Sequence, residues 1–219
     1  MGFGRQVGHA KPQGIRSKPI HHIERVDHGD VFYAPAITRD ASGRWLCWGW
    51  VQDPLDAEEA ARTSHVGALS LPRVLDVEAG RLLVRPAPEL ERLRAEPPRT
   101  LTSTGSAPGP VHEIVLPPHG AAWELVLRAA SGAALLSVTA DQSGWQLRYP
   151  IDVPEPPPRV AWRDGPAQLR VLVDATVVEV FADDGRAATA RLRGRRTVGA
   201  LAIHNRPAAW VHRLALPVA

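Results

Sequence analysis

A single cysteine, Cys47, occurs in 219 residues, so no disulfide can close within the chain and the redox compartment stays open. Its neighbours Trp45, Leu46 and Trp48 are apolar, which makes Cys47 a buried small hydrophobe rather than a catalytic thiol, since no ordered Cys/His pairing accompanies it. Lysine is nearly missing: Lys11 and Lys18 stand against 24 arginines. With so much Ala and Pro, that skew reads as coding bias from a GC-rich genome. The basic residues are not gathered with aromatics. They form one short cluster (Arg191, Arg193, Arg195, Arg196) and a dilute N-terminal set (Arg5, Lys11, Arg16, Lys18). A net charge of +3 therefore bears on solubility, and no nucleic-acid partner is expected. No run approaches 18 consecutive apolar residues, so no membrane-spanning helix and no membrane partner are expected. Met1 to Pro19 carries basic residues but no apolar h-region, so it is not read as a secretory signal, and the cytoplasm is the favoured compartment.

What is present is ordinary for a globular chain: 44% hydrophobic and 22% charged residues. The 21 prolines and 18 glycines are spread between apolar runs and mark turns. Residues 1–20 have no period and are expected to be poorly ordered. Over 21–85, the β-prone runs Asp30 to Thr38 and Trp45 to Val51 flank a turn at Asp40 to Arg44, which predicts a hairpin. Two shorter runs follow, Gly67 to Leu71 (ending at Pro72-Arg73) and Arg81 to Val84. The stretch 86–100 is a linker: Leu90 and Leu93 at helical spacing predict a short amphipathic helix, stopped by Pro97-Pro98. From residue 101 to 219 the pattern is all strand. Candidates are 111–116, 121–130, 133–140, 145–151, 168–174, 176–182, 187–193, 198–204 and 209–216. Polar residues alternate with apolar ones in Leu169 to Asp174 and in Val177 to Phe181. Many short strands at this spacing predict a two-sheet β-sandwich, and the fold class is all-β.

Three early motifs carry a resemblance. They are Asp27-His28-Gly29-Asp30-Val31-Phe32-Tyr33-Ala34-Pro35, then Gly43-Arg44 with Trp48-Gly49-Trp50, then Leu69-Ser70-Leu71-Pro72-Arg73. Downstream, Leu169-Arg170-Val171 to Asp174 and Glu179-Val180-Phe181 to Gly185 continue it. In this order and spacing they resemble glycoside hydrolase family 32, the invertases, sucrose-6-phosphate hydrolases, levanases and inulinases. The resemblance covers about residues 24–219. It implies one leftover blade of a five-bladed β-propeller, a short linker and the family's C-terminal sandwich.

The family cleaves fructofuranosyl bonds with retention, which takes a nucleophile and an acid/base carboxylate about 5–5.5 Å apart. It places the nucleophile in an N-D-P motif, a stabilising Asp in R-D-P and the acid/base Glu in E-C. None of the three motifs occurs in these residues. The resemblance thus implies blades lying ahead of this sequence, and no catalytic residue is expected here. Gln52-Asp53-Pro54 looks superficially similar, but it directly follows Trp48-Gly49-Trp50 and reads as a turn. The last blade lends residues to the pocket rim, so the resemblance makes Asp27, Asp30 and Trp50 the candidate sugar contacts. Asp30 is one place early, Val31 occupying the family's second Asp position. A carboxylate accepts sugar hydroxyls and an indole stacks on a sugar face. His21, His22, His28, Asp27 and Asp30 cluster locally but match no zinc spacing, so neither metal nor cofactor is expected. Glu179 is expected to be structural.

The implied partner is a fructosyl-containing saccharide, once the missing blades are supplied by a complementary N-terminal propeller chain or by a homo-oligomer. Either a truncated product or half of a split enzyme is implied. A non-catalytic carbohydrate-binding or oligomerisation sandwich is the alternative.

Overall fold

The computed structural model of the chain describes residues 24–215, apart from residues 56, 62, 64–65, 152, 154–155 and 207. The expected N-terminal segment 1–20 lies outside the described residues, as do His21 and His22.

The first layer is an antiparallel sheet built from β1 (Phe32–Arg39), β2 (Trp45–Val51), β3 (Ala68–Leu69), β4 (Arg73–Glu78) and β5 (Arg81–Pro86). Its order is β1-β2-β4-β5, with β3 also pairing β2. A short helix, α1 (Ala57–Ala61), lies between β2 and β3. The β1–β2 turn is held by Asp40, whose Oδ1 accepts from the Ser42 amide (3.0 Å), the Ser42 hydroxyl (2.8 Å) and the Arg44 amide (2.9 Å). Within β1 the register shifts between Tyr33 and Ala36, at Ala34 (φ 44°) before Pro35. Pro35 cannot donate to a ladder, and a bulge removes that need.

Strand β4 departs from the sequence reading, which ended a run at Pro72-Arg73. Pro72 precedes this strand instead of closing the previous one. The β4–β5 connection is Ala79-Gly80, both left-handed (φ 50° and 77°), as a two-residue hairpin turn requires. The pair lacks the Asn-Gly or Asp-Gly signature that makes such turns readable.

The linker helix is a 3-10 helix, Pro88–Leu93, with proline in its first turn and Leu90 buried. Two six-stranded sheets follow. One contains β6 (Arg99–Leu101), β8 (Val111–Leu116), β13 (Leu169–Asp174), β14 (Val177–Ala182), β15 (Ala187–Arg191) and β17 (Ala209–Arg213), in the order β15-β14-β13-β8-β17-β6. The other contains β7 (Thr104–Ser106), β9 (Trp123–Arg128), β10 (Ala134–Asp141), β11 (Gly144–Arg148), β12 (Val160–Ala161) and β16 (Ala200–His204), in the order β12-β11-β10-β9-β16-β7. Their inner faces enclose the main core, including Ile114, Leu125, Leu127, Leu136, Trp145, Val171, Val180 and Leu201. The expected all-β architecture of blade-type sheet, linker helix and two-sheet sandwich is therefore what the chain forms.

One feature of the sandwich places the site. Every residue of β14 is buried. Val178, Val180 and Ala182 face the sandwich core. Phe181 faces the other way, into a second apolar cluster with Leu172, Ala187, Val84 and Leu90. Val177 joins a third with Val31 and Val51. The outer face of this sheet is thus covered by the blade, and burying such side chains contributes about 1.5–3 kcal/mol each.

Candidate functional site

The blade and the sandwich meet around one buried arginine. Arg73, first residue of β4, has a fully buried side chain and lies beneath Phe32, 4.2 Å from its guanidinium carbon to the ring centroid, with Phe181 at 5.3 Å. Its Nη1 donates to Asp27 Oδ2 at 2.7 Å, and its Nη2 donates to Glu179 Oε2 at 2.6 Å and to Thr189 Oγ1 at 2.6 Å. Glu179 Oε1 accepts from the Leu71 amide at 2.6 Å. Every ionic group has a partner of opposite sign, without which burial of this kind is costly.

Asp27 is placed by its own loop. Its Oδ1 accepts from the Gly29 amide (2.7 Å) and the Thr189 amide (3.0 Å), and its Oδ2 accepts from the Thr189 hydroxyl (2.7 Å) as well as from Arg73. Gly29 is required there because a Cβ would fall 1.9 Å from the Thr189 carbonyl oxygen. The expectation that Asp27 contacts sugar meets a physical obstacle. Its side chain is 4% exposed and four donors fill its acceptor positions, leaving no lone pair for a substrate hydroxyl. Its role in this arrangement is to tie the loop to β15 and β4.

Electrostatics agree with a structural junction. Burial pulls the Arg73 guanidinium toward neutrality, but Asp27 and Glu179 outweigh it and hold its pKa above the ordinary value. Burial pushes Glu179 up, against the opposing pull of Arg73 and the Leu71 amide. Asp27 and Glu179 do approach one another, yet the space between them is filled by a guanidinium. This is not the open pair that glycoside cleavage uses.

Asp30 sits at the edge of this junction. Its Oδ1 accepts from the Tyr149 hydroxyl of the sandwich at 3.2 Å. Burial raises its pKa, opposed by its own amide and by Tyr149. The Asp53 of Gln52-Asp53-Pro54 pairs with Arg191 at 2.6 Å and accepts from the Gly67 amide at 2.8 Å, so it is a further clasp between blade and sandwich.

Trp50 is on the far side of the blade. It pairs with Tyr33 on β1 and with Leu69 on β3, and the three side chains share a face. They are 38%, 58% and 74% exposed, respectively. Trp50 meets Tyr33 edge to face at 6.3 Å. Gly67 (φ 82°) makes room for the indole, since a Cβ would lie 1.8 Å from its Nε1. Ile37 and Trp45 on the same two strands are also exposed. Sequence motifs brought out Asp27, Asp30 and Trp50, but not Arg73 as the hub or Thr189 as its partner.

One hollow between blade, linker and sandwich has a volume of about 340 Å³ and contains two carboxylates, Glu91 and Asp183. Glu91 is ion-paired with Arg170 (3.1 Å) and Arg94 (3.5 Å). Burial raises the pKa of Asp183.

A blade-type sheet clasped to a two-sheet sandwich through buried motif residues defines the carboxy-terminal architecture of a class of glycoside hydrolases. Two family models match in chain order: the glycosyl hydrolases family 32 N-terminal domain over residues 4–86, and the family 32 C-terminal domain over residues 140–196. The chain belongs to glycoside hydrolase family 32. It is 29% identical over 211 residues to a sucrose-6-phosphate hydrolase of Staphylococcus xylosus, covering 81% of this chain and 40% of the relative. It is 30% identical over 175 residues to the enzyme so named in Klebsiella pneumoniae, covering 76% and 34%. Among solved structures, a GH32 β-fructofuranosidase of Bombyx mori superposes with a TM-score of 0.72 at 21% identity, over 89% of this chain and 43% of that one. The sucrose-6-phosphate hydrolase of Lactobacillus gasseri gives 0.69 at 19% identity, over 87% and 42%. At these identities the superpositions speak for the fold. The chain spans 40% or less of the length of these two curated relatives.

Proposed function

We propose that this chain is the C-terminal part of a retaining β-fructosidase-type hydrolase, acting on sucrose, a phosphorylated sucrose or a fructan only when propeller blades carrying the nucleophile and acid/base are supplied. The observation that carries the reading is the convergence of separated family motifs on one buried cluster. Asp27 and Phe32 come from the first motif, Arg73 from L-x-x-P-R, and Glu179 and Phe181 from the sandwich motif. Within 219 residues the sequence offers no N-D-P, R-D-P or E-C motif, and the two acids of the junction are locked on Arg73.

The function of the chain by itself is then structural. The sandwich backs the blade, and the blade presents Tyr33, Trp50 and Leu69 to the preceding blades or to sugar. Trp50 supplies a stacking face and Asp30 an acceptor at the rim, while Asp27 positions the loop that bears Asp30. Sequencing the DNA upstream of Met1 tests this. N-D-P, R-D-P and E-C motifs, in frame or in a neighbouring gene whose product co-purifies with this chain and restores fructose release, are the expected result. Absence of such motifs, together with fructan binding by the chain alone, would favour the non-catalytic carbohydrate-binding module instead.

A further inference from the structure

The blade covers only part of the outer face of the sandwich sheet beside it. Phe181 of β14 is opposite Arg170 of β13, Arg170 is opposite Val115 of β8, and Val115 is opposite Trp210 of β17. Directly opposed residues share a face. One row of side chains therefore runs from Phe181, buried under the blade, to Trp210, which is 43% exposed. His212 and Glu113 are opposed on the same face, two residues along their strands. At the uncovered end of this face a groove of about 350 Å³ opens, with Trp210, His212, Arg170, Arg94, Glu91 and Gln168 among its lining.

The polar side chains of the groove are held from below. Glu113, buried beneath them, accepts from Arg94 Nε at 2.8 Å and from Arg170 Nε at 2.5 Å. Arg170 Nη1 also donates to Glu91 at 3.1 Å. Two guanidiniums thus meet two carboxylates, and these ion pairs leave no net charge. Burial and Arg94 hold the His212 pKa below its ordinary value, against Glu113, so the imidazole is neutral as well. Arg170 Nη2 and His212 Nδ1 are buried and do not reach the groove. Arg94 Nη2 and His212 Nε2 keep accessible surface and have no partner among the described residues. The indole is open too. A guanidinium lies over Trp45 and another over Trp123, but among the described residues no ring or guanidinium stacks on Trp210.

We propose that this groove binds a neutral saccharide. A sugar ring stacks on Trp210, its hydroxyl oxygens accept from Arg94 Nη2 and His212 Nε2, and a further hydroxyl donates to Glu91. An open indole suits the apolar face of a sugar ring, and hydroxyls both donate and accept. The charge balance selects against an ionic ligand, which would have to compete with the ion pairs already formed. Because Glu113 fixes both arginines beforehand, little side-chain freedom is lost on binding. The volume is in the range of small-ligand sites. The groove belongs to the sandwich and the linker, so it stands whether or not added blades complete a hydrolase.

Calorimetric titration of the whole chain with 1-kestose, maltotriose, cellotriose and trigalacturonate tests it. Saturable binding of at least one neutral trisaccharide is expected, with an affinity unchanged when ionic strength is raised. The tightest of the three identifies the sugar as a fructoside, an α-glucan or a β-glucan. Trp210→Ala, with an unchanged melting profile, weakens binding at least about tenfold, as loss of the stacking face predicts. Trp210→Phe keeps part of the affinity, and Trp45→Ala, on the blade, leaves it intact. In the parent chain, the indole N–H resonance that is missing from Trp210→Phe shifts as the sugar is added. No binding of any neutral trisaccharide, tighter binding of trigalacturonate, a stationary Trp210 resonance or parental affinity in Trp210→Ala would each overturn the assignment.

Discussion

Arg73 and Glu179, 106 residues apart, meet at 2.6 Å with side chains 0% and 1% exposed. One belongs to the blade and the other to the sandwich, so the two layers share a buried ion pair as well as an apolar interface. Asp27 and Thr189 complete the ring of bonds. The arrangement explains why three distant motifs occur in one chain: each supplies a part of one joint.

Removing Arg73 leaves two carboxylates buried without a counter-ion. Arg73→Met is expected to lower the unfolding free energy by about 3–5 kcal/mol, measured by urea denaturation. The double variant Arg73→Met, Glu179→Leu recovers part of that loss, because one of the stranded charges is removed with its partner. Equal losses in the single and double variants would show that the pair is not coupled.

Gly29→Ala forces a methyl group against the Thr189 backbone, which has no room to move aside in β15. The expected cost is about 1–3 kcal/mol, the range for overpacking a tight contact, and it is read in the same denaturation experiment. An Ala variant as stable as the parent would mean that the Asp27 loop does not pack on β15.

The pH dependence of stability has an identifiable source in His112. Its side chain is buried, and Nδ1 lies 2.9 Å from the Gly109 carbonyl. Burial, only partly offset by that carbonyl, holds its pKa down at about 4, against 6.5 unperturbed. A depressed histidine contributes stability that is present above pH 6.5 and lost as pH falls toward 4, by about 3 kcal/mol in all. Asp30 and Glu179, with raised pKa values, act in the opposite sense and favour the fold as pH falls. The difference between parent and His112→Phe isolates the histidine. The parent should lose more stability than the variant between pH 6.5 and 4, and parallel profiles would contradict the assignment.

Much of this fold is legible in sequence. Each of the nine strands read in the sandwich from period-two patterning is found there, within a few residues of its expected ends. Strands β6, β7 and β12, of two or three residues, are too short to set up a period, and β4 was hidden behind a proline read as a terminator. Glu179 fits its expected structural role, but its partner was not legible. Alternation correctly set it opposite Val178 and Val180, but a charged residue on the second face of a strand reads as solvent-facing. Here that face is buried too, because Arg73 arrives from a different layer. Only the joint presence of Arg in one motif and Glu in another hinted at the pairing.

The outer face of the blade has its own consequence. Tyr33, Trp50 and Leu69 are exposed on one face of three adjacent strands, and contiguous apolar surface of this kind marks an interface or an aggregation site. The purified chain is expected to bind a hydrophobic dye and to elute above monomer mass in size-exclusion chromatography. Replacing Tyr33, Trp50 and Leu69 with serine should diminish both. A dye-silent monomer would argue that this face needs no partner.

The most direct test is fructose release from sucrose and inulin by the isolated chain. The account predicts none above the enzyme-free blank, because Asp27 and Glu179 are locked on Arg73 and no catalytic motif of the family is present. Turnover by the isolated chain would contradict it, and turnover abolished by Asp183→Asn would locate the chemistry in the hollow between blade and sandwich.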